Sequence, residues 1–230
     1  MSFWIHSFIE VFKGLPYTLL ITCGAFLLSI ILGTMTALFQ IKRIPVLHQL
    51  TTVYNSFMRS TPLIVQLFVF YYGTPAFIMW LNQVFKTSLN PDSVHPLTIA
   101  FIAFSLHATA YLSETIKSGF YAVDDAQVEA GLTVGLSQRD LYRRIIIPQA
   151  FMYALPNIEN QFIMLLKGTS LAFAIQIPEI IANSHLVANE GYRFIEVYSI
   201  AALLYWAIAI IIEAIFKKVA LTKGRFLYAN

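Results

Sequence analysis

Long apolar runs separated by short polar stretches organise this chain. The first run extends from Tyr17 to Gln40 without a charged residue and begins at Pro16, a residue suited to a helix's first turn. A second runs from Pro62 to about Val84, with Ser60 and Thr61 as candidate N-caps and Pro62 inside the first turn. A third spans Pro96 to about Leu112. The fourth, from about Pro148 to Leu166, is polar for a run of this kind, and the fifth covers Phe194 to Phe216. A bilayer core takes about 20 mostly apolar residues at a rise of about 1.5 Å each, so each run can cross. The pattern predicts an all-α integral membrane protein with five transmembrane helices in a single transmembrane domain, residues 1–230. Leu47, Leu50, Tyr54 and Phe57 recur at helical spacing and suit an interfacial segment before the second span.

Composition agrees with this picture. Hydrophobic residues make up 58% of the chain and charged ones 12%, against about 25% charged in average soluble domains. The mean hydropathy is +0.68. The net charge of +3 is small and dispersed, which excludes a nucleic-acid footprint. A single cysteine, Cys23, excludes a disulfide framework and a cysteine-based zinc site. Glu10 and Lys13 precede the first run where a signal peptide would be basic, so the run is expected to stay in the mature protein.

Lysine and arginine set the expected orientation. Lys42, Arg43 and Arg59 follow the first span, and Lys117, Arg139, Arg143 and Arg144 follow the third. Lys217, Lys218, Lys223 and Arg225 end the chain. The opposite side holds only Lys13, Lys86 and Arg193, with Lys167 at the end of span four. The N-terminus is therefore expected outside and the C-terminus in the cytoplasm.

The longest polar stretch, 117–147, reads as two short helices on the cytoplasmic side. Asp124 or Asp125 caps the first, which runs to Val134, and Gly135 stops it. Ser137 and Asp140 form a capping box for the second, Gln138 to about Ile147. From these residues alone the segment is either a lever for a partner protein or an ordered interhelical loop.

Glu129-Ala130-Gly131, Gly135 and Ile145-x-Ile147-Pro148 resemble, at matching spacing, the EAA loop of ABC importer permeases. Gly131 stands where the family carries a second alanine, and Ile147 where it carries leucine. The resemblance is closest to the polar amino acid branch and covers nearly the whole chain. It includes Gly14 with Thr18-Leu19, the stretch Arg59-Ser60-Thr61-Pro62-Leu63-Ile64-Val65-Gln66, and Ala110-Tyr111-Leu112-Ser113-Glu114 before Lys117-Ser118-Gly119. It continues through Pro148-Gln149-Ala150, Ala154-Leu155-Pro156, Asn160-Gln161-Phe162 and Leu165-Leu166-Lys167, then departs at Gly168, where relatives carry an acidic or amide residue.

The resemblance implies a type I (MetI-like) ABC importer permease fold in a bacterial inner membrane. Loop 117–147 would be the coupling helix that docks on an ATP-binding subunit, through Glu129, Ala130, Gly131, Gly135 and Leu136. A second permease chain, identical or a sister, would complete the pathway. An extracytoplasmic amino acid-binding protein would deliver an amino acid substrate, and membrane lipid would surround the bundle. ATP and magnesium would act in the partner ATPase, with no cofactor in this chain.

No Gly-x-x-x-x-Gly-Lys-Ser/Thr stretch occurs to cradle phosphates, and no metalloprotease or serine-hydrolase signature is present. Span four carries Pro156, Asn157, Glu159, Asn160 and Gln161, which an exposed lipid face does not accommodate. Pro156 should kink or loosen it. The helix either lines the translocation path or uses its amides as structural glue. Glu159, Gln161, Lys167, Thr169 and Ser170 are the candidate path residues, with the hydroxyls of Thr169 and Ser170 lining water or capping the next element. His107 is expected to make a polar interhelical contact. Leu171 to Ile177 is too short to cross, and Pro178-Glu179 begins another short element. The alternatives are an ion-coupled transporter or channel using Glu159 or His107, and a structural or sensory membrane subunit.

Overall fold

The computed structural model describes residues 3–223, so the expected tail cation Arg225 lies outside the described residues. Helices α1 (Phe3–Phe12), α2 (Leu15–Ile41), α3 (Leu47–Ser60), α4 (Leu63–Phe85) and α5 (Pro96–Tyr121) come first. They are followed by α6 (Asp125–Thr133), α7 (Gln138–Leu141), α8 (Ile147–Gly168), α9 (Ile180–Gly191) and α10 (Phe194–Lys223). A π turn, Tyr142–Ile146, joins α7 to α8, and a 3-10 segment, Thr169–Ile175, follows α8. Four stretches are long and apolar enough to cross a membrane: α1 with α2, α4, α5, and α10. Gln138–Ile175 and α9, bent by 55° at the break between them, pass the same test as a pair and form a fifth candidate. The structure thus has four to five candidate spans among the described residues, and the expected fourth lies in the bent pair.

The core lies where α5 packs between α2 and α8. Ser29 on α2 donates to the Ser105 carbonyl of α5 at 2.8 Å. A Cβ on Gly119 of α5 would stand 2.5 Å from the Ala150 carbonyl oxygen and 2.8 Å from the Ala154 Cβ of α8. Small residues let these backbones approach closely, which is how membrane helices gain packing without a hydrophobic drive between them. Phe104, Ile21 and Leu67 fill the space between α2, α4 and α5. Val11, Leu166, Ile180 and Val197 join α1, α8, α9 and α10 in a second cluster. Leu20, Leu27 and Ile31 on α2 and Leu203, Trp206 and Ile211 on α10 are exposed, as a lipid-facing surface requires.

Several boundaries differ from the sequence reading. The third span does not end near Leu112: α5 continues to Tyr121, so residues 117–121 are helix rather than loop. Its two charges find partners there, with Lys117 Nζ 2.7 Å from Glu114 Oε2 and 2.8 Å from Gln40 Oε1. The second loop helix is not a separate Gln138–Ile147 element. It is the short α7, and the π turn carries it into α8 without a break. The ring of Pro148 would crowd the carbonyl four residues back, and the widened π turn contains that position.

Ser60 and Thr61 do not cap span two. Pro62 itself occupies the N-cap position with extended backbone, and the Thr61 hydroxyl donates to the Phe57 carbonyl. Pro156 sits inside an α8 that remains continuous around it. Span five extends beyond Phe216 to Lys223. Ahead of the first span, the amphipathic α1 is an element the apolar runs gave no separate signal for. Ser7 and Val11 are buried on one side while Trp4, Ile5, Phe8 and Phe12 are exposed on the other.

Candidate functional site

Two features stand at the end of the bundle where the basic residues gather. The first is the knuckle formed by α6, α7 and the turn between them. Asp124 caps α6, its carboxylate accepting the Ala126 N–H at 2.9 Å. The helix closes with a Schellman pattern: the Leu136 N–H donates to the Gly131 carbonyl at 3.1 Å and the Gly135 N–H to the Leu132 carbonyl at 3.0 Å. That closure needs a left-handed residue, and Gly135 supplies it at φ 82°. Ser137 then accepts the Asp140 N–H at 3.2 Å and donates its hydroxyl to Asp140 Oδ2 at 2.7 Å. Both helix starts and the end of α6 are thus capped by residues a few positions away.

The knuckle is seated on the bundle by Leu141, which is 2% exposed and packs with Val123, Ile146 and Ala150. A Cβ on Gly131 would lie 2.5 Å from Leu141 Cδ1. Gly131 is buried against its own chain, and its small size makes room for that seat. Glu129, Ala130 and Gly135 are exposed on the outer side, and Leu136 is half-buried beside the turn. The knuckle thus has an inner face fixed to α5 and α8 and a free outer face.

The second feature is an open cleft of about 960 Å³ between the last turn of α2, α3 and α5. Its wall carries a polar network that links Gln40, Asn55, Glu114 and Lys117, with Arg59 Nη1 3.8 Å from Glu114 Oε2. The Tyr54 hydroxyl donates to the Leu106 carbonyl at 2.5 Å and fixes α3 against α5. Burial pushes its phenol up to about 12, so it stays a neutral donor.

A smaller pocket of about 150 Å³ lies deeper, lined by Leu63, His107, Tyr111, Gln161 and Met164 among others. The His107 ring is 2.9 Å from Gln66 Oε1, the interhelical contact expected of it, and its ring centroid is 5.0 Å from that of Tyr111. Tyr111 also lines the large cleft and so forms a wall common to both.

Of the five candidate path residues, Gln161 alone lines this pocket. Glu159 is half-buried about 200° around α8 from Gln161, since successive helical residues turn about 100°. Lys167 is exposed. Thr169 and Ser170 do not present free hydroxyls: Thr169 donates to the Leu166 carbonyl at 2.6 Å and is fully buried, and Ser170 donates to the Lys167 carbonyl at 2.7 Å. The same bond to a carbonyl three residues back is made by Ser113 and Ser118 on α5.

Sequence reasoning missed the cleft network because its members come from three separate stretches. It also missed the depth of Glu179, which is 0% exposed. Its carboxylate accepts the Ile181 and Ala182 N–H groups at 2.9 and 2.7 Å and the Tyr205 hydroxyl at 3.2 Å. Its position just after Pro178, at the start of an element, was the available signal for a capping role.

A profile of the family described as "binding-protein-dependent transport system inner membrane component" matches residues 27–220. The chain is 40% identical over 210 residues to the probable amino-acid permease protein YxeN of Bacillus subtilis (strain 168), covering 91% of this chain and 89% of that one. It is 37% identical over 203 residues to the probable amino-acid ABC transporter permease protein PatM of Vibrio harveyi, covering 88% and 86%. Its fold matches the crystal structure of an amino acid ABC transporter with histidines, at a TM-score of 0.81 and 26% identity, covering 96% of this chain and 99% of that chain.

Proposed function

This chain belongs to the family of binding-protein-dependent transport system inner membrane components, and from that premise we propose that it carries polar amino acids inward as an ABC permease subunit. It is a multi-pass membrane protein and a transport component rather than a catalytic one. The family implies an ATP-binding subunit and a substrate-binding protein as partners. In the proposed assembly the N-terminus lies outside and the C-terminus in the cytoplasm, as the lysine and arginine bias favours. A second permease chain completes the pathway, and ATP and magnesium act in the ATPase.

The observation that carries the reading is the two-faced knuckle. Its outer face leaves Glu129 and Ala130 free for the ATPase, while its inner face is fixed through Gly131 and Leu141 to α5 and α8. A displacement imposed on the outer face therefore reaches the helices that line the inner pocket. Gly135 holds the turn in shape and Leu136 backs it. Along the path, Gln161 and His107 supply polar contacts to a passing amino acid, whereas Glu159 and Lys167 lie to its sides and Thr169 and Ser170 shape the bend above it.

The test is co-expression with the ATPase subunit, capture of the complex in detergent, and binding-protein-dependent uptake in proteoliposomes. Wild type is expected to bring down the ATPase and to import amino acids with ATP, while Gly135→Trp inserts in the membrane but loses both. Normal uptake by Gly135→Trp at wild-type levels would overturn the docking assignment. Uptake driven by an ion gradient without ATP would overturn the reading as a whole.

A further inference from the structure

A groove of about 770 Å³ runs between the end of α2, the end of α5 and the knuckle, on the far side of α2 and α5 from the α3 cleft. Its two long walls carry the same layering, written in opposite chain directions. On α2 the apolar Leu38 and Ile41 come first, and Lys42 follows at the helix end. On the other wall Arg139 and Arg143 come first, one helical turn apart, and Ile146 and Ile147 follow as the chain enters α8. α2 runs toward the basic end and α8 away from it. Both walls therefore place carbon nearer the spans and cations beyond it.

The chain supplies these cations with no counter-charge. The ion pairs among the described residues include none of Lys42, Arg139 and Arg143, and all three side chains are exposed. Arg144, in the same stretch, is outside the groove lining and is paired with Asp140 at 3.3 Å. The two arginines that line the groove are thus the two left with charge to offer. Asp125 also lines it, but as a first-turn residue of α6 it serves the positive end of that helix. Tyr121 and Tyr142 stand exposed among the lining residues, at 68% and 48%. Tyrosine is favoured at headgroup depth, where its ring meets carbon and its hydroxyl meets water.

A free phosphate would meet the cations and leave the aliphatic walls in water. An acyl chain alone would cover the walls and leave three cations unmatched. A phosphate joined to acyl chains fits both layers in their order, and basic pockets between membrane helices suit anionic headgroups. We propose that this groove holds an anionic phospholipid from the leaflet at this end of the bundle. Its phosphate lies toward Lys42, Arg139 and Arg143, and its chains start along Leu38, Ile41 and Ile147. Under the orientation proposed above, this is the cytoplasmic leaflet. The lipid joins α2 to the knuckle, and the site rests on the membrane setting and not on the identity of the cargo.

The experiment uses the full permease chain, alone and with the ATPase, delipidated in detergent. It is titrated with phosphatidylglycerol or phosphatidylcholine of matched chains, and bound lipid is counted by native mass spectrometry. Phosphatidylglycerol is expected to bind saturably, one molecule per permease chain, at about tenfold or more lower concentration than phosphatidylcholine. Glycerol 3-phosphate, which lacks the chains, is not expected to compete at equal concentration. Arg143→Gln is expected to raise the half-saturating concentration about fivefold, the equivalent of about 1 kcal/mol for one cation, and adding Arg139→Gln to raise it further. Arg144→Gln is expected to leave it unchanged.

Equal binding of the two lipids overturns the proposal, as does an unchanged affinity in the double variant or an equal loss in Arg144→Gln. Full competition by glycerol 3-phosphate would make this a site for free phosphate compounds and overturn the lipid. Binding by the permease alone that disappears in the complex would assign the groove to the ATPase interface. ATP-driven uptake is measured on the same preparation. Uptake without a lipid preference removes the lipid site alone, whereas a lipid site without uptake stands and removes the transport reading.

Discussion

The knuckle and the cleft lie at the same end of the bundle, yet they treat polar groups in opposite ways. Within the knuckle, Asp124, the Gly135 turn and the Ser137–Asp140 pair cap the helix ends over a few residues of chain. In the cleft, Gln40, Asn55, Glu114 and Lys117 meet from α2, α3 and α5 and still leave a buried donor and acceptor open. A self-satisfied element moves as a unit and suits force transmission. The difference separates an element closed on itself by near neighbours from one assembled by residues far apart in the chain.

The comparison is broken most severely by unseating the knuckle. Leu141→Ala removes the buried side chain that locks α6 and α7 to α8, at a cost of about 2–5 kcal/mol for a core truncation of this kind. Uptake is expected to collapse while ATPase capture persists, because the outer face is unchanged. Quantifying both on one preparation decides whether seat and docking face are separate.

Glu129→Lys attacks the other face. ATPase capture is expected to fall about tenfold or more, the scale of reversing a charge within an interface, with membrane insertion unaffected. Capture at the wild-type level would show that the docking surface lies elsewhere on the loop.

Gln161→Leu sharpens the contrast from the side of the path. It leaves the knuckle and the cleft network intact and removes one polar contact from the deeper pocket. The substrate KM for uptake is expected to rise by about fivefold, the loss of a hydrogen bond worth about 1 kcal/mol. An unchanged KM and unchanged preference among amino acids would take Gln161 off the path.

Ser137→Ala is expected to have the smallest effect. It deletes one N-cap contact, about 1 kcal/mol of local stability, and the continuous passage of α7 into α8 should contain the damage. Faster amide exchange at residues 138–141 with nearly normal uptake is the expected signature. A full loss of uptake would mean that the cap, and not Leu141, sets the angle of the lever.

Legibility varied with the distance over which each feature is decided. Asp124, Gly135 and the Ser137–Asp140 box were readable because caps and turns are chosen by neighbours in the chain. The apolar runs were readable because lipid imposes the same demand on every crossing. The end of α5 was misplaced at Leu112 because Glu114 and Lys117 look like loop residues until Asn55 and Gln40 are beside them. Thr169 and Ser170 read as available to water, yet both hydroxyls fold back onto carbonyls three residues earlier, those of Leu166 and Lys167.

By itself the sequence determined the crossings, the capped knuckle and the resemblance that named its partner. Each of these depends on residues close together in the chain or on the uniform demand of the bilayer. Tertiary structure alone decided that Gly131 packs against Leu141. It alone decided that Gln161, not Thr169, lines the inner pocket, and that Lys117 meets Gln40 across 77 positions of chain. A side chain's direction and its remote partners depend on how whole helices pack, and no local pattern of residues carries that information.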